Sequence, residues 1–445
     1  MLLHKGGQAG GAGCGLNPPP SSFGKVPDKR AKRDRLERLA KTLTSTHVGL
    51  RWCGYALPLP PGEEGSGVEV RMVHEGDHRH AFFHRLQHCG SPYVCPDCGA
   101  WLAVRRADEI AQAAARWAGD GGQLVLATFT LRHRWGERLE DLLKRMGRAW
   151  RYMVGTRAWK GRVHYAGFIR SLEVTLGPNG WHPHYHVLFL FWDEVPTAEE
   201  VFSLWSHAVA REGGDAVPEA FSWEIVPAVD AQEVGHYVAK WGPGLEVAGG
   251  RFKDSAGLTP WEVLELAGLE AGLIEKEVCG HPVPDGIPQK VSWVELWTEY
   301  TSAVRGLRSV YWSRGLRELL SLKTDEELLE EGPEDSEIVG VLGLEDYERL
   351  RRAYLRNAFL GAVELYGWGA GLVVLSLAPP LPSGLPPPPP PSETTLRNWR
   401  AAQLRLARSS GASGSVADRP RLVQPPLFGE ELATGLWLVR ECGLE

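Results

Sequence analysis

Trp181-His182-Pro183-His184-Tyr185-His186-Val187-Leu188-Phe189-Leu190-Phe191 carries three alternating histidines. On a strand, a period of two puts the imidazoles on one face and Val187, Phe189 and Phe191 on the other. Neutral imidazole is the commonest protein ligand for a catalytic metal, and a His-x-His pair gives a cation two nitrogens while leaving other positions open. A His-rich edge strand without metal fits the same spacing. Upstream, Tyr165–Leu176 reads as a strand, and Gly177-Pro178-Asn179-Gly180 is a strong turn. A four-residue loop at 177–180 pairs Leu176 with Trp181 and sets Glu173 opposite His184. Glu173, His184 and His186 then share one face. Leu172 and Val174 share the other with Tyr185 and Val187, so the apolar side agrees with the same register. Two imidazoles and a carboxylate suit Mn²⁺, Mg²⁺ or Zn²⁺ as a Lewis acid. His182 stays open as ligand, phosphate contact or exposed residue.

Working outward, Leu124–Leu131 reads as a strand. Residues 136–153 follow as a helix, with Leu139, Leu142, Leu143, Met146, Trp150 and Met153 at helical spacing. Thr197-Ala198-Glu199-Glu200 is a capping box opening a helix with Val201, Leu204, Trp205, Ala208 and Val209 on one stripe. A strand at Phe221–Val226 and a helix from near Asp230 complete the order β-α-β-β-α-β. That order predicts an α+β fold with a ferredoxin-like antiparallel sheet, both crossover helices on one face and the other face available for a site. On the last helix Glu233, Tyr237 and Lys240 stand at i, i+4 and i+7 and face one way. A phenol can attack phosphorus, a carboxylate can activate water and a lysine can bind phosphate. Glu233 also sits three residues after Asp230, where a capping carboxylate belongs. Both readings stand at this point.

The rest of the chain sets bounds. Its 445 residues allow two or three domains, and 18 Trp, 52 Gly and 32 Pro point to many turns and aromatic packing. No stretch approaches the ~18 apolar residues of a membrane span, and no signal-peptide pattern opens the chain, so a cytoplasmic protein without a membrane partner is expected. The net charge of −6 argues against nucleic acid, but the average conceals blocks. Eight acids crowd residues 325–337, whereas residues 132–162 hold ten Lys/Arg against three acids and residues 25–41 hold eight against three. Such basic blocks fit a phosphate-binding surface or a solvated helix face.

Seven cysteines, unevenly spread, do not form a disulfide framework. Cys95-Pro96-Asp97-Cys98 has knuckle spacing, and with Cys53 and Cys89 it can close a structural Cys₄ zinc site, with His84 and His88 as substitutes. Buried unpaired thiols are the other reading. Cys14, Cys279 and Cys442 have no evident partner. The expected organisation is a disordered 1–24, a basic helix and Cys-rich zinc module at 25–103, a catalytic unit at 123–245, a mainly helical region at 251–377, a Pro-rich linker at 378–391 and an appendage at 392–445.

Taken together, His184-Tyr185-His186, the strand with Glu173, and the Glu-x-x-x-Tyr-x-x-Lys helix resemble the HUH-type rolling-circle replication initiators of small bacterial plasmids. The likeness is to the branch with a single catalytic tyrosine preceded by a glutamate. Leu126–Leu131 is similar to the family's first motif, and the likeness covers about residues 50–245, with a weaker match at Arg305–Leu320. The resemblance implies site-specific nicking of one origin strand, a 5′-phosphotyrosyl intermediate and a free 3′-OH primer. It casts Tyr237 as nucleophile, His184 and His186 as ligands of Mn²⁺ or Mg²⁺ with Glu173 the third, Glu233 as water activator at termination, and Lys240 as a phosphate or tyrosine contact. Arg145, Arg148 and Arg151 become DNA contacts. Plasmid origin DNA, a host helicase and a polymerase become partners, and a homo-oligomer is allowed. A relaxase or single-strand transposase shares this chemistry, although relaxases place the tyrosine upstream of the histidines and single-strand transposases are much shorter. A catalytically silent DNA-binding protein is the alternative of another class.

Overall fold

The computed structural model describes residues 28–57, 67–75, 78–227, 257–276, 283–322 and 336–382. Helices α1 (Asp28–Leu43) and α2 (Val48–Trp52) lead to strands β1 (Val68–Glu75) and β2 (His78–Phe83), then to the long α3 (Pro96–Gly119). Next come β3 (Gln123–Thr130), α4 (Leu139–Gly155), α5 (Arg157–Arg162), β4 (Gly167–Gly177), β5 (Gly180–Phe191), α6 (Ala198–Arg211) and β6 (Ser222–Val226). Further along lie α7 (Pro260–Glu270), α8 (Trp293–Ala303), β7 (Val310–Trp312) and α9 (Leu316–Leu319). The last described stretch holds β8 (Glu337–Leu342), α10 (Leu344–Arg352), α11 (Arg356–Tyr366) and α12 (Trp368–Ser376).

Two antiparallel sheets result, making the protein a mixed α+β fold. The larger runs β6-β3-β5-β4-β7 and the smaller β2-β1-β8. In the larger sheet, β4 and β5 are joined by a two-residue turn, because Gly177 and Gly180 already pair. Gly180 has φ +90°, and a Cβ there would crowd the Trp135 backbone at 3.2 Å, so both the backbone conformation and this close approach favour glycine. Leu176 faces Trp181 and Glu173 faces His184, the register that the hydrophobic alternation predicts.

One face of this sheet carries the main core. Val125, Ala127, Phe129, Tyr185, Val187 and Phe189 pack against Leu142, Met146 and Trp150 of α4 and against Val201 and Trp205 of α6. Phe129 meets Trp150 and Trp205 edge-on, both at 5.3 Å between ring centroids, a favourable quadrupolar geometry. The capping box of α6 forms as expected: the Thr197 side chain accepts from the Glu200 backbone N–H while the Glu200 carboxylate accepts from the Thr197 N–H.

The opposite face departs from expectation, because it is only half open. Leu124, Leu126, Ile169, Leu188 and Leu190 are covered by Ile110, Ala113, Ala114 and Trp117 of α3 and by Leu316 of α9. The polar residues of the same face, from Thr128 to Thr130 and from Ser171 to Thr175, lie beyond this lid of apolar side chains.

The region 251–377 is helical over much of its described length, but it is not only that. β7 extends the larger sheet beside β4, and β8 pairs with β1. The basic block at 25–41 is not a solvated face either. Leu36, Leu39 and Ala40 of α1 are fully buried, and the charges of α1 are largely matched internally: Arg30 with Glu364, Arg35 with Glu265 at 2.7 Å, and Lys41 with Glu37 at 2.6 Å. Glu265 and Glu37 are themselves buried, so these cations answer interior carboxylates rather than phosphates. No helix among the described residues is long and apolar enough to cross a membrane.

Candidate metal centres

Two groups of side chains converge as clusters that could hold a metal ion, one on each side of residue 120. The first is built on the hairpin β4–β5. Glu173 Oε2 lies 2.7 Å from His184 Nε2 and 2.9 Å from His186 Nε2. Cis ligands about a cation at ~2.1 Å stand roughly 3 Å apart, so the three donor atoms fit around one ion. Burial pushes the Glu173 carboxyl up, but the two imidazoles outweigh it and hold the group down at about 2. His186 is lowered to about 4, chiefly by burial, so at neutral pH it presents a neutral ring.

His184 gives a second argument for a cation. Its Nδ1 faces the His182 carbonyl at 3.3 Å and its Nε2 faces the Glu173 carboxylate. Both partners only accept, so either a second proton or a cation must stand between Nε2 and the carboxylate. With Nδ1–H on the carbonyl, a cation between Nε2 and Oε2 satisfies all three groups. His186 is oriented in turn by Thr128 Oγ1, 3.1 Å from its Nδ1. Sequence reading placed Thr128 in the Leu126–Leu131 motif but gave it no role, which follows from the pairing of β3 with β5. It missed His133, whose ring lies 4.8 Å from His182. His182 stands outside the three-donor group, its ring 5.1 Å from that of His184. Burial, with His184 and His133 as neighbours, lowers it to about 3.

The second group is Cys53, Cys89, Cys95 and Cys98, whose sulfurs all lie within 4.8 Å of one another. Cys53 Sγ is 3.4 Å from Cys95 Sγ and 3.5 Å from Cys98 Sγ, and Cys89 Sγ is 3.7 Å from Cys98 Sγ. Tetrahedral zinc at ~2.3 Å from each thiolate requires sulfurs roughly 3.8 Å apart, so the cluster fits that ion closely. Cys53 follows α2, and Cys95 caps the N-terminus of α3, where its sulfur accepts from the Cys98 N–H. Hydrogen bonds from the other three thiols favour ionisation of Cys53, and the same bonds hold those partners protonated. A dication would let all four ionise together. His88 Nδ1 lies 3.9 Å from Cys98 Sγ, next to a four-sulfur set that is already complete, and His84 does not join it.

The other expected site residues divide. Arg145 pairs with Glu137 at 3.0 Å and Arg148 with Glu212 at 2.6 Å, which leaves Arg151, exposed like Arg148, as the one of the three with no ion pair among the described residues. Glu233, Tyr237 and Lys240 lie outside the described residues, as do Cys14, Cys279 and Cys442.

Residues 80–202, which hold Glu173, His184, His186 and three of the four cysteines, match the family model of the replication proteins. The resemblance to plasmid replication initiators read from the motifs is thereby shown. Over 301 residues the chain is 29% identical to a protein of Streptomyces lividans named Protein rep, covering 53% of this chain and 64% of that one. It is also 34% identical over 133 residues to a Streptomyces cyanogenus protein named Neomycin resistance protein, covering 24% of this chain and 30% of the relative. The chain thus spans less than two thirds of either relative. No solved structure matches.

Proposed function

We propose that this chain initiates rolling-circle replication of a plasmid by nicking one strand of its origin. The observation that carries the reading is the Glu173–His184–His186 group, set on the part of the sheet face that α3 leaves uncovered, inside the segment that matches the replication-protein family. The strand order β6-β3-β5-β4, with α4 and α6 as crossovers, supports a ferredoxin-like HUH endonuclease unit over about residues 123–245. A divalent cation, Mn²⁺ or Mg²⁺, held by Glu173, His184 and His186 would polarise the scissile phosphodiester. Tyr237 Oη forms the new bond to phosphorus as the P–O3′ bond breaks, and the phenolic proton ends on the departing 3′-oxygen. The products are a 5′-phosphotyrosyl protein and a free 3′-OH, which a host polymerase extends behind a host helicase. Glu233 activates water at termination, and Lys240 holds phosphate near the tyrosine. Cys53, Cys89, Cys95 and Cys98 hold a structural zinc that stiffens the module before the endonuclease unit.

The test is incubation of the full chain with labelled single-stranded origin DNA and Mn²⁺, followed by denaturing electrophoresis. A covalent adduct that disappears in Tyr237→Phe supports the reading. Tight origin binding with no adduct under any divalent cation would instead indicate a DNA-binding protein without the chemistry.

A further inference from the structure

The side of the larger sheet away from Glu173 carries a cation that the proposed chemistry leaves without a task. Arg170 on β4 points toward α4, and its guanidinium lies 4.3 Å from the centre of the Tyr185 ring, 5.0 Å from that of Trp150 and 5.3 Å from that of Tyr311. Among the described residues it has neither hydrogen bond nor ion pair. The groups that act on its charge are tyrosine hydroxyls and Arg151, with no carboxylate among them, and burial pushes its pKa down. Leaving an arginine half-buried beside a second arginine is unfavourable unless an anion joins them. Arg151 is exposed and makes no hydrogen bond or ion pair among the described residues. Both Arg151 and Tyr185 approach Gly147, where a Cβ would lie 3.6 Å from Arg151 Nη1 and 3.8 Å from the Tyr185 hydroxyl.

The third element is Tyr311 on the edge strand β7, paired with Arg170 and 39% exposed. An exposed aromatic ring beside one unanswered guanidinium, with a second close to that cation, is the combination that single-stranded nucleic acid uses: backbone charge for the cations, a base face for the ring. We propose that Arg151, Arg170 and Tyr311 form a subsite for single-stranded DNA, with a phosphate between the two guanidiniums and the adjoining base stacked on Tyr311. The subsite also has a route to the metal group. Arg170 and Glu173 are three residues apart on one strand. The Leu172 N–H donates to Ser309 O at 3.1 Å, so the backbone next to the exposed Arg308 is fastened to β4 one residue from Glu173.

This inference rests on the reading of the chain as an origin-DNA enzyme, and the experiment separates the two. Full-length protein is titrated against a labelled mixed-sequence single strand and against the corresponding duplex, by fluorescence anisotropy at several salt concentrations. The exposed pair is replaced together as Arg151→Gln, Tyr311→Leu, and Arg170→Gln is made separately with a thermal melt. The double variant should bind the single strand about tenfold more weakly, with a salt slope lower by about one. The duplex should lose less. Unchanged affinity and slope in the double variant, or an equal loss for duplex, would overturn the subsite while leaving the enzyme reading intact. A wild-type chain that binds no DNA would overturn both.

Discussion

Arg356 on α11 donates from Nη2 to Asp97, the residue between the two cysteines of Cys95-Pro96-Asp97-Cys98. The same nitrogen donates to Glu37 of α1 at 2.7 Å, and the arginine lies against Gly54, next to Cys53, where a Cβ would collide with the guanidinium. Gly54 has φ +82°, so backbone conformation and the approach of Arg356 both require glycine there. A residue more than 250 positions downstream is thus built into the cysteine module. With β8 completing the small sheet, the module folds together with the C-terminal helices rather than as a separate unit.

Arg356→Met should therefore be far more damaging than an ordinary surface change. It takes the guanidinium away from the buried Glu37, which keeps Lys41, and from the partly buried Asp97, and breaking a buried pair by removing one partner costs about 3–5 kcal/mol. Denaturant melts should show that loss together with easier release of metal from the cysteines. A variant that melts like the parent would remove Arg356 from the framework of the module.

The cysteine group should hold about one zinc per chain. Cys95→Ser should lower the zinc content and open residues near Cys53 and Cys89 to protease. Elemental analysis is the check, and protein purified without chelator that contains no zinc would sink the assignment.

His184→Ala or His186→Ala should abolish DNA cleavage, and Glu173→Ala should cause a smaller but clear loss. Thr128→Val adds a finer test. It removes the oxygen at 3.1 Å that orients His186 without touching a donor atom, so Mn²⁺ affinity should fall about tenfold or more. Calorimetric titration of Mn²⁺ reads this directly, and an unchanged affinity would mean that strand geometry alone orients His186.

Much of this site was legible because its information is local. The turn at 177–180 and the alternation on both strands fix which residue faces which, so the Glu173–His184 pairing followed from a few residues of context. The stripes of α4 and α6 were equally plain, since Leu139 to Met153 and Val201 to Val209 repeat at helical spacing. What stayed hidden depends on distant pairing. β7 is three residues long and takes its identity from β4, and β8 from β1. Thr128 lies in the stretch similar to the family's first motif and His133 in no motif, and the role of each emerges only once strands and loops are assembled. The basic run of α1 misled because charge composition cannot say that Glu265, Glu364 and Glu37 wait inside to receive it.

Asp34 gives the fold a pH dependence of known sign. Burial, with Glu37 beside it, pushes its carboxyl from 3.8 up to about 7, against hydrogen bonds donated by the Asn357 and Ala358 backbone N–H groups and the Asn357 side chain. The folded chain therefore holds a proton that the unfolded chain releases, so this stability is fully present below 3.8 and is lost as pH rises through about 7. Between about pH 6 and about pH 8.5 the loss should be roughly 1.4 kcal/mol. Urea midpoints at the two pH values measure it. Asp34→Asn should flatten that slope, and a variant with the parent's full pH dependence would assign the effect to another group.

Tyr237 and Glu233 should separate the two halves of the proposed reaction. Tyr237→Phe keeps the ring and its packing but removes the attacking oxygen, so cleavage and the covalent DNA adduct should vanish together. Glu233→Ala should still form the adduct, because attack by the phenol does not need a carboxylate to activate water. It should instead release DNA poorly at termination and accumulate products longer than one plasmid unit. The alternative role of Glu233, as the carboxylate of a capping box three residues after Asp230, makes a different forecast: a stability loss of about 1 kcal/mol and uniformly slower chemistry. Thermal melts of Glu233→Ala beside a termination assay distinguish the two. A destabilised variant that terminates normally would leave Glu233 as a helix cap and return the search for the water activator to the other carboxylates near the hairpin.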